Sequence, residues 1–307
     1  MEYPGWRQVI RTSPASCLSA DHGPSAGVLR ATSNLAALSQ SAPPMDPHLN
    51  AVPSDARTLP VRARISKIVV VIPACNEQAT ISPCLASIAE SATALPPRID
   101  VDIVVVADSC TDDTARLASE FEAVTVVEAR VRCAGLARRL GTEFALSNLV
   151  VAPESVWLAC TDADTVVPAD WLTRQLAHEA SGFCGVTGIV KIDPTTSHPD
   201  LGKWFREYYQ VGDDGTHRHV HGANIGFRCD AYLDAGGWKP LRTGEDHDLW
   251  NRISSRWPTR SNASLTVRTS ARLSGRAPAG FARDLDRLVA RSGNQHVANH
   301  PLQRARS

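Results

Sequence analysis

The chain has 307 residues, is 43% apolar and 21% charged, and carries no formal net charge, a balance that suits one large globular domain with extensions. That composition excludes a chain disordered throughout, and it supplies neither a basic field to gather nucleic acid nor an acidic tail to steer a basic partner. Any affinity for phosphate must therefore come from a local site.

Residues 1–60 are rich in Ser, Ala and Pro and show no useful periodicity, so they read as a disordered or low-complexity extension. They lack the apolar core of a secretory signal. Their scarcity of acids weakly resembles a targeting peptide, and Met45 offers a second start for translation. A domain is expected over residues 61–292, and a flexible tail over 293–307.

From Lys67 the pattern changes. Ile68-Val69-Val70-Val71-Ile72 predicts a buried strand that Pro73 ends. Ile103–Ala107, Val124–Val127 and Val156–Cys160 predict three more, with helices between them near 80–92, 112–120 and 135–147. Strands of continuous apolar character separated by helices predict a doubly wound α/β fold, a mostly parallel sheet with helices on both faces. In such sheets ligands bind beyond the carboxyl ends of the strands.

The first strand leads into Pro73-Ala74-Cys75-Asn76-Glu77 and the second into Asp108-Ser109-Cys110-Thr111-Asp112. A carboxylate at a strand end can accept hydrogen bonds from a nucleobase N–H or a ribose hydroxyl. Asp112 fits equally well as a helix cap. The fourth strand leads into Thr161-Asp162-Ala163-Asp164. In an extended segment, carboxylates two residues apart point to one side and would offer hard oxygen ligands to Mg²⁺ or Mn²⁺.

His217, His219 and His221 alternate, which in a strand would place three imidazoles on one face, either as a metal site or as a substrate-facing loop. His247 reads as a solvent-facing helix residue or as a further metal ligand. The glycine- and proline-broken segment 274–281 is either a loop closing over a nucleotide, with Arg276 for phosphate, or a linker. The eight cysteines show no CxxC spacing and several sit in apolar runs, so reduced core residues and a cytoplasmic setting are expected. No stretch approaches the roughly 18 apolar residues of a membrane span, although a peripheral membrane contact stays open.

Taken together, these peptides resemble glycosyltransferase family 2, of the GT-A type. Val-Val-Val-Ile-Pro-Ala-Cys-Asn-Glu is similar to the family's first-strand signature, and Ala137-Arg138-Arg139-Leu140-Gly141 to its A-R-N-x-G helix. Asp162 and Asp164 match its metal motif. Gly222-Ala223-Asn224 and Gly236-Gly237-Trp238 resemble its acceptor-side segment, and Gly244-Glu245-Asp246-His247-Asp248-Leu249 its G-E-D-x-D-L motif.

The resemblance covers roughly 67–253. It implies a nucleoside-diphosphate sugar donor in contact with Pro73, Asn76, Glu77, Asp108, Arg138, Asp162 and Asn224, with the Arg138 side chain approaching the diphosphate. It also implies a Mg²⁺ or Mn²⁺ cofactor on Asp162 and Asp164, a hydroxyl acceptor, and a catalytic base at Asp246 with Glu245 beside it. Ala107 stands where many members carry a second aspartate and Arg139 where many carry Asn. Ile253 replaces the Gln of the processive Q-x-x-R-W mark, although Arg256 and Trp257 are present. Metal-dependent, inverting, single-transfer chemistry is expected. The alternatives are a retaining enzyme of the same fold, a nucleotidyltransferase and a non-catalytic nucleotide-binding protein.

Overall fold

The computed structural model describes residues 63–147, 149–192 and 210–270, together with the backbone of residues 10–11. Arg276 and the segment 274–281 lie outside the described residues. The sheet holds a two-residue strand β1 (Ile10–Arg11), then β2 (Lys67–Ala74), β3 (Asp100–Asp108), β4 (Val124–Ala129), β5 (Val156–Cys160), β6 (Thr165–Val166), β7 (Gly185–Ile192), β8 (Ile225–Arg228) and β9 (Thr259–Thr269). Their order across the sheet is β1-β4-β3-β2-β5-β8-β7-β9-β6.

β1, β4, β3, β2 and β5 are parallel, with Lys67 opposite both Asp100 and Val156. Direction reverses at β8, which runs antiparallel to β5 and β7, while β9 is parallel to β7. The strand β1 falls in the segment expected to be a tail and adds to the sheet beyond β4.

Ile68, Val70 and Ile72 face one core and Val69 and Val71 the other, as the period of two requires. All five are fully buried, because helices cover both faces. On the first face lie α1 (Ile81–Thr93), α2 (Thr114–Ala118) and α4 (Trp171–Ala180). Ile81, Cys84, Leu85 and Ile88 form the buried stripe of α1, at the spacing that puts residues on one helical face. On the second face lie α3 (Ala134–Ser147), α5 (Cys229–Asp234) and α6 (Glu245–Ser254).

Two expectations about strand ends need correction. β2 does not stop at Pro73 but runs on to Ala74, paired with Ala107. Pairing with β5 ends at Val71–Cys160, so at Pro73 one side of β2 is already an edge, where a residue without an N–H costs little. Asp162 and Asp164 do not sit in an extended segment. The Thr165 amide donates to the Asp162 carbonyl at 3.0 Å and closes a turn, so the two carboxylates share a site through a bend rather than through strand alternation.

Candidate active site

The loops after β2 and β3 are stitched together by their own polar side chains. Asn76, at φ 53°, accepts from the Thr111 amide through Oδ1 at 2.7 Å. The Glu77 amide donates to Thr114 Oγ1 at 2.6 Å, and Glu77 Oε2 accepts from Thr80 Oγ1 at 2.8 Å. Pro73 is half-buried within β2. Asp112, one residue before the N-cap Asp113 of α2, accepts from the Thr114 amide at 3.1 Å.

Asp108 is buried and accepts from three consecutive amides, those of Val131 (2.8 Å), Arg132 (2.9 Å) and Cys133 (3.1 Å). Its carboxylate therefore fixes the loop that feeds α3. Asn224 is fully buried as well. Its Nδ2 donates to the carbonyls of Ile189 and Leu265, both at 2.9 Å, and its Oδ1 accepts from Trp171 Nε1 at 3.0 Å. Between Gly188 and Ile189 the pairing of β7 with β9 slips, and Asn224 satisfies the carbonyls freed there. Asn224, expected as a donor contact, plugs a β-bulge, its side chain bonding to Ile189, Leu265 and Trp171.

Arg138 is the hinge of the site. It lies on the buried face of α3 with Gly135, Gly141 and Thr142 and is only 3% exposed. Its Nη2 donates to Asp162 Oδ1 and its Nη1 to Glu245 Oε1, each at 2.6 Å. The guanidinium carbon stands 5.5 Å from the centre of the Trp238 ring, and the backbone of Gly222 packs so closely that a Cβ there would overlap the guanidinium. Burial works against the charge, but Asp162 and Glu245 outweigh it and hold the pKa of Arg138 above its ordinary value. Arg138, expected to approach a diphosphate, pairs with two carboxylates through Nη1 and Nη2, while its buried Nε makes no hydrogen bond. Arg139 points outward and pairs with Glu143.

Burial pushes the Asp162 carboxyl up to about 6; Arg138 pulls it down and Asp164 pushes it further up. Of the Asp162 side chain, 39% is accessible. Asp164 Oδ1 accepts from Thr269 Oγ1 at 3.2 Å, and its carbonyl accepts from the Ser270 amide, so the end of β9 braces it. No group of three or more His, Cys, Asp or Glu among the described residues could hold a metal alone, the three alternating histidines included. Two adjacent carboxylates, one resisting ionisation, nonetheless fit Mg²⁺ or Mn²⁺, which complete their six oxygens with water and substrate phosphate.

Gly244, at φ 74°, opens α6, a conformation glycine adopts without strain. Glu245 points inward to Arg138. Asp246, half-buried, faces the cleft, where its Oδ2 accepts from the Gly222 amide at 2.9 Å and its Oδ1 from the His247 amide at 2.8 Å. His247 is exposed. Burial lowers His221 to about 3, with Asp246 working the other way and the imidazoles of His219, His247 and His217 adding to the fall.

The family described as "Glycosyl transferase family 2" matches residues 69–235, more than half of the chain. The chain belongs to glycosyl transferase family 2. No curated protein matches it. Among solved structures, the glycosyltransferase is similar to S. aureus TarS 1–349 in complex with UDP-GlcNAc, at 16% identity and a TM-score of 0.53, over 77% of this chain and 68% of that one. It is also similar to the mannosyltransferase PcManGT from Pyrobaculum calidifontis in complex with GDP-Man and Mn²⁺, at 20% identity and a TM-score of 0.50, over 76% of this chain and 64% of that one. These likenesses establish the GT-A fold. The family match stops before α6, so the roles of Glu245 and Asp246 rest on geometry.

Sequence reasoning missed the partnership of Arg138 with Glu245, Trp238 and Gly222. A signal was present: one arginine in the stripe Gly135-x-x-Arg138-x-x-Gly141, otherwise small, marks a helix face in close contact whose charge needs a buried partner. Among the described residues no helix is long and apolar enough to cross a membrane.

Proposed function

We propose that this glycosyltransferase moves a sugar from a nucleoside diphosphate to an acceptor hydroxyl with inversion at the anomeric carbon, one transfer at a time, and that Asp246 is the base. The observation that carries the reading is the contrast between neighbours on α6. Glu245 is consumed by Arg138, whereas Asp246 has both oxygens oriented by main-chain amides and faces the cleft.

In a single displacement the acceptor oxygen bonds to the anomeric carbon as the diphosphate leaves, and Asp246 takes the hydroxyl proton. Asp246 lies in the first turn of α6, at the positive end of the helix dipole. Asp162 and Asp164 would hold Mg²⁺ or Mn²⁺, which when bound neutralises charge on the departing diphosphate. Arg138 fixes the direction of Asp162 through their ion pair.

Single transfer is supported by the far end of α6, where Ile253 is core and Arg256 and Trp257 both bind Asp234 Oδ2, at 3.1 and 3.0 Å. Among the described residues Cys84, Cys110, Cys133, Cys160 and Cys229 form no disulfide, and three of them are buried, which supports the reducing cytoplasm.

A thermal-shift screen of UDP, GDP and their sugars with and without Mn²⁺ tests the donor side. A bound nucleotide raises the melting temperature by mass action, and the rise should require the cation. No rise with any of them in Mn²⁺ or Mg²⁺ would overturn the reading. NMR of the product's anomeric proton separates inversion from retention.

A further inference from the structure

The alternating histidines form a continuous row beside Asp246. His217 and His219 have ring centres 6.3 Å apart at 32°, and His219 and His221 stack at 6.1 Å and 6°. The row begins at the base itself, since Gly222, next after His221, donates its amide to Asp246 Oδ2. It ends at His217, which is 8% exposed and has no hydrogen-bond partner on either ring nitrogen. The backbones of His219, Thr187 and Asn262 lie near enough to favour a proton on that ring, but none makes a hydrogen bond to it. A buried imidazole with both nitrogens unpartnered is costly unless a ligand or ordered water completes it.

We propose that His217, His219 and His221 form the acceptor subsite and select an uncharged polyhydroxyl ring, a sugar or cyclitol, over an acceptor bearing phosphate or carboxylate. The proposal rests on Asp246 being the base, because the row is an acceptor site only if the proton leaves there.

The class follows from complementarity. A neutral imidazole offers one N–H donor and one nitrogen acceptor, which is what a hydroxyl, itself donor and acceptor, can match. Phosphate and carboxylate only accept. Burial lowers all three imidazoles, so the row stays uncharged near neutral pH. The groups acting most strongly on His221 are Asp246 and the other three imidazoles, with no lysine or arginine among them. An anionic acceptor would therefore meet the Asp246 carboxylate, whose opposing charge at Arg138 is already shared with Asp162 and Glu245, a repulsive contact of the kind that sets specificity.

The test is a titration of the full chain, labelled at histidine C2, with myo-inositol and methyl β-D-glucopyranoside as neutral probes and glucose 6-phosphate and glucuronate as anionic ones. Signals are assigned through His217→Gln, His219→Gln and His221→Gln, each checked for a native melting temperature. Saturable shifts of the three signals by a neutral probe, at affinity at least about tenfold above the anionic probes, are expected. Equal or tighter binding of an anionic probe would overturn the proposal. So would unmoved signals with both neutral probes while a nucleoside diphosphate still raises the melting temperature in Mn²⁺. Loss of that nucleotide response as well would instead bring down the donor reading.

Discussion

Arg138 neutralises two carboxylates at once, so truncating it strands both. Breaking a buried pair by removing one partner costs about 3–5 kcal/mol, and the lower part of that range applies because 39% of the Asp162 side chain is accessible. Arg138→Met should therefore lose about 3 kcal/mol in urea unfolding. Arg138→Lys should recover only part of this, since one ammonium cannot reproduce the planar fork that spans Asp162 and Glu245.

Asp246→Asn keeps the shape and the acceptor for the Gly222 amide but removes the proton acceptor. Turnover should fall by at least roughly a hundredfold while nucleotide affinity and melting temperature stay near wild type. Wild-type turnover would leave Asp246 as a structural acceptor for the Gly222 amide.

His221 sets a pH dependence of stability. Unfolded, its imidazole takes a proton near 6.5; folded, burial delays this to about 3. The stabilising contribution is thus complete above 6.5 and is lost as pH falls toward 3. A single such group gives a slope of at most about 1.4 kcal/mol per pH unit within that window. His221→Gln should flatten the acid side of a stability–pH curve by up to that amount, as measured by urea unfolding at stepped pH.

Elements differed in how plainly the sequence declared them. α3 was expected at 135–147 and spans Ala134–Ser147, and β5 matches its expected run to the residue, because continuous β-branched or small apolar runs leave few alternatives. The antiparallel half was not legible. β9 reads Thr-Arg-Ser-Asn-Ala-Ser at its start, is half-buried there and slips register against β7, so alternation appears only from Leu265 to Thr269 and no apolar run is continuous. The same blindness explains Asn224: a polar residue in the segment Gly222-Ala223-Asn224 looks like a ligand contact until the bulge it plugs is known.

Gly141 sets the distance of α3 from the sheet. A Cβ there would lie 2.8 Å from methyl groups of both Val71 and Val106. Gly141→Ala should therefore overpack the interface and cost about 1–3 kcal/mol despite its better helix propensity, read from the unfolding midpoint. A stabilised variant would mean that the helix can lift without loss.

At the scale of the whole molecule, the reversal of direction between β5 and β8 separates the carboxylates by origin. Asp162 and Asp164 follow the last parallel strand, whereas Glu245 and Asp246 arrive on a helix after the antiparallel pair. Motif order in the sequence was enough to identify both groups. Their connection was hidden, because Arg138 reaches Glu245 across 107 positions of chain.

Deleting residues 1–60 removes from the described structure only the pairing of Ile10 and Arg11 with Val127 and Glu128. Two strand residues contribute little, so the melting temperature should move by less than about 4 °C in differential scanning fluorimetry, equivalent to under about 1 kcal/mol. A larger fall would place part of that segment in the fold proper.

The seat of Arg138 also constrains how this sequence can diverge. Gly222 must lack a side chain because the guanidinium lies against its backbone, and Asp162 and Glu245 are each matched to one arm of that group. These four positions therefore form one unit of inheritance. In a collection of descendants, loss of the arginine should coincide with a neutral residue at 245 and with freedom at 222, while a lone change at any of the four should be rare.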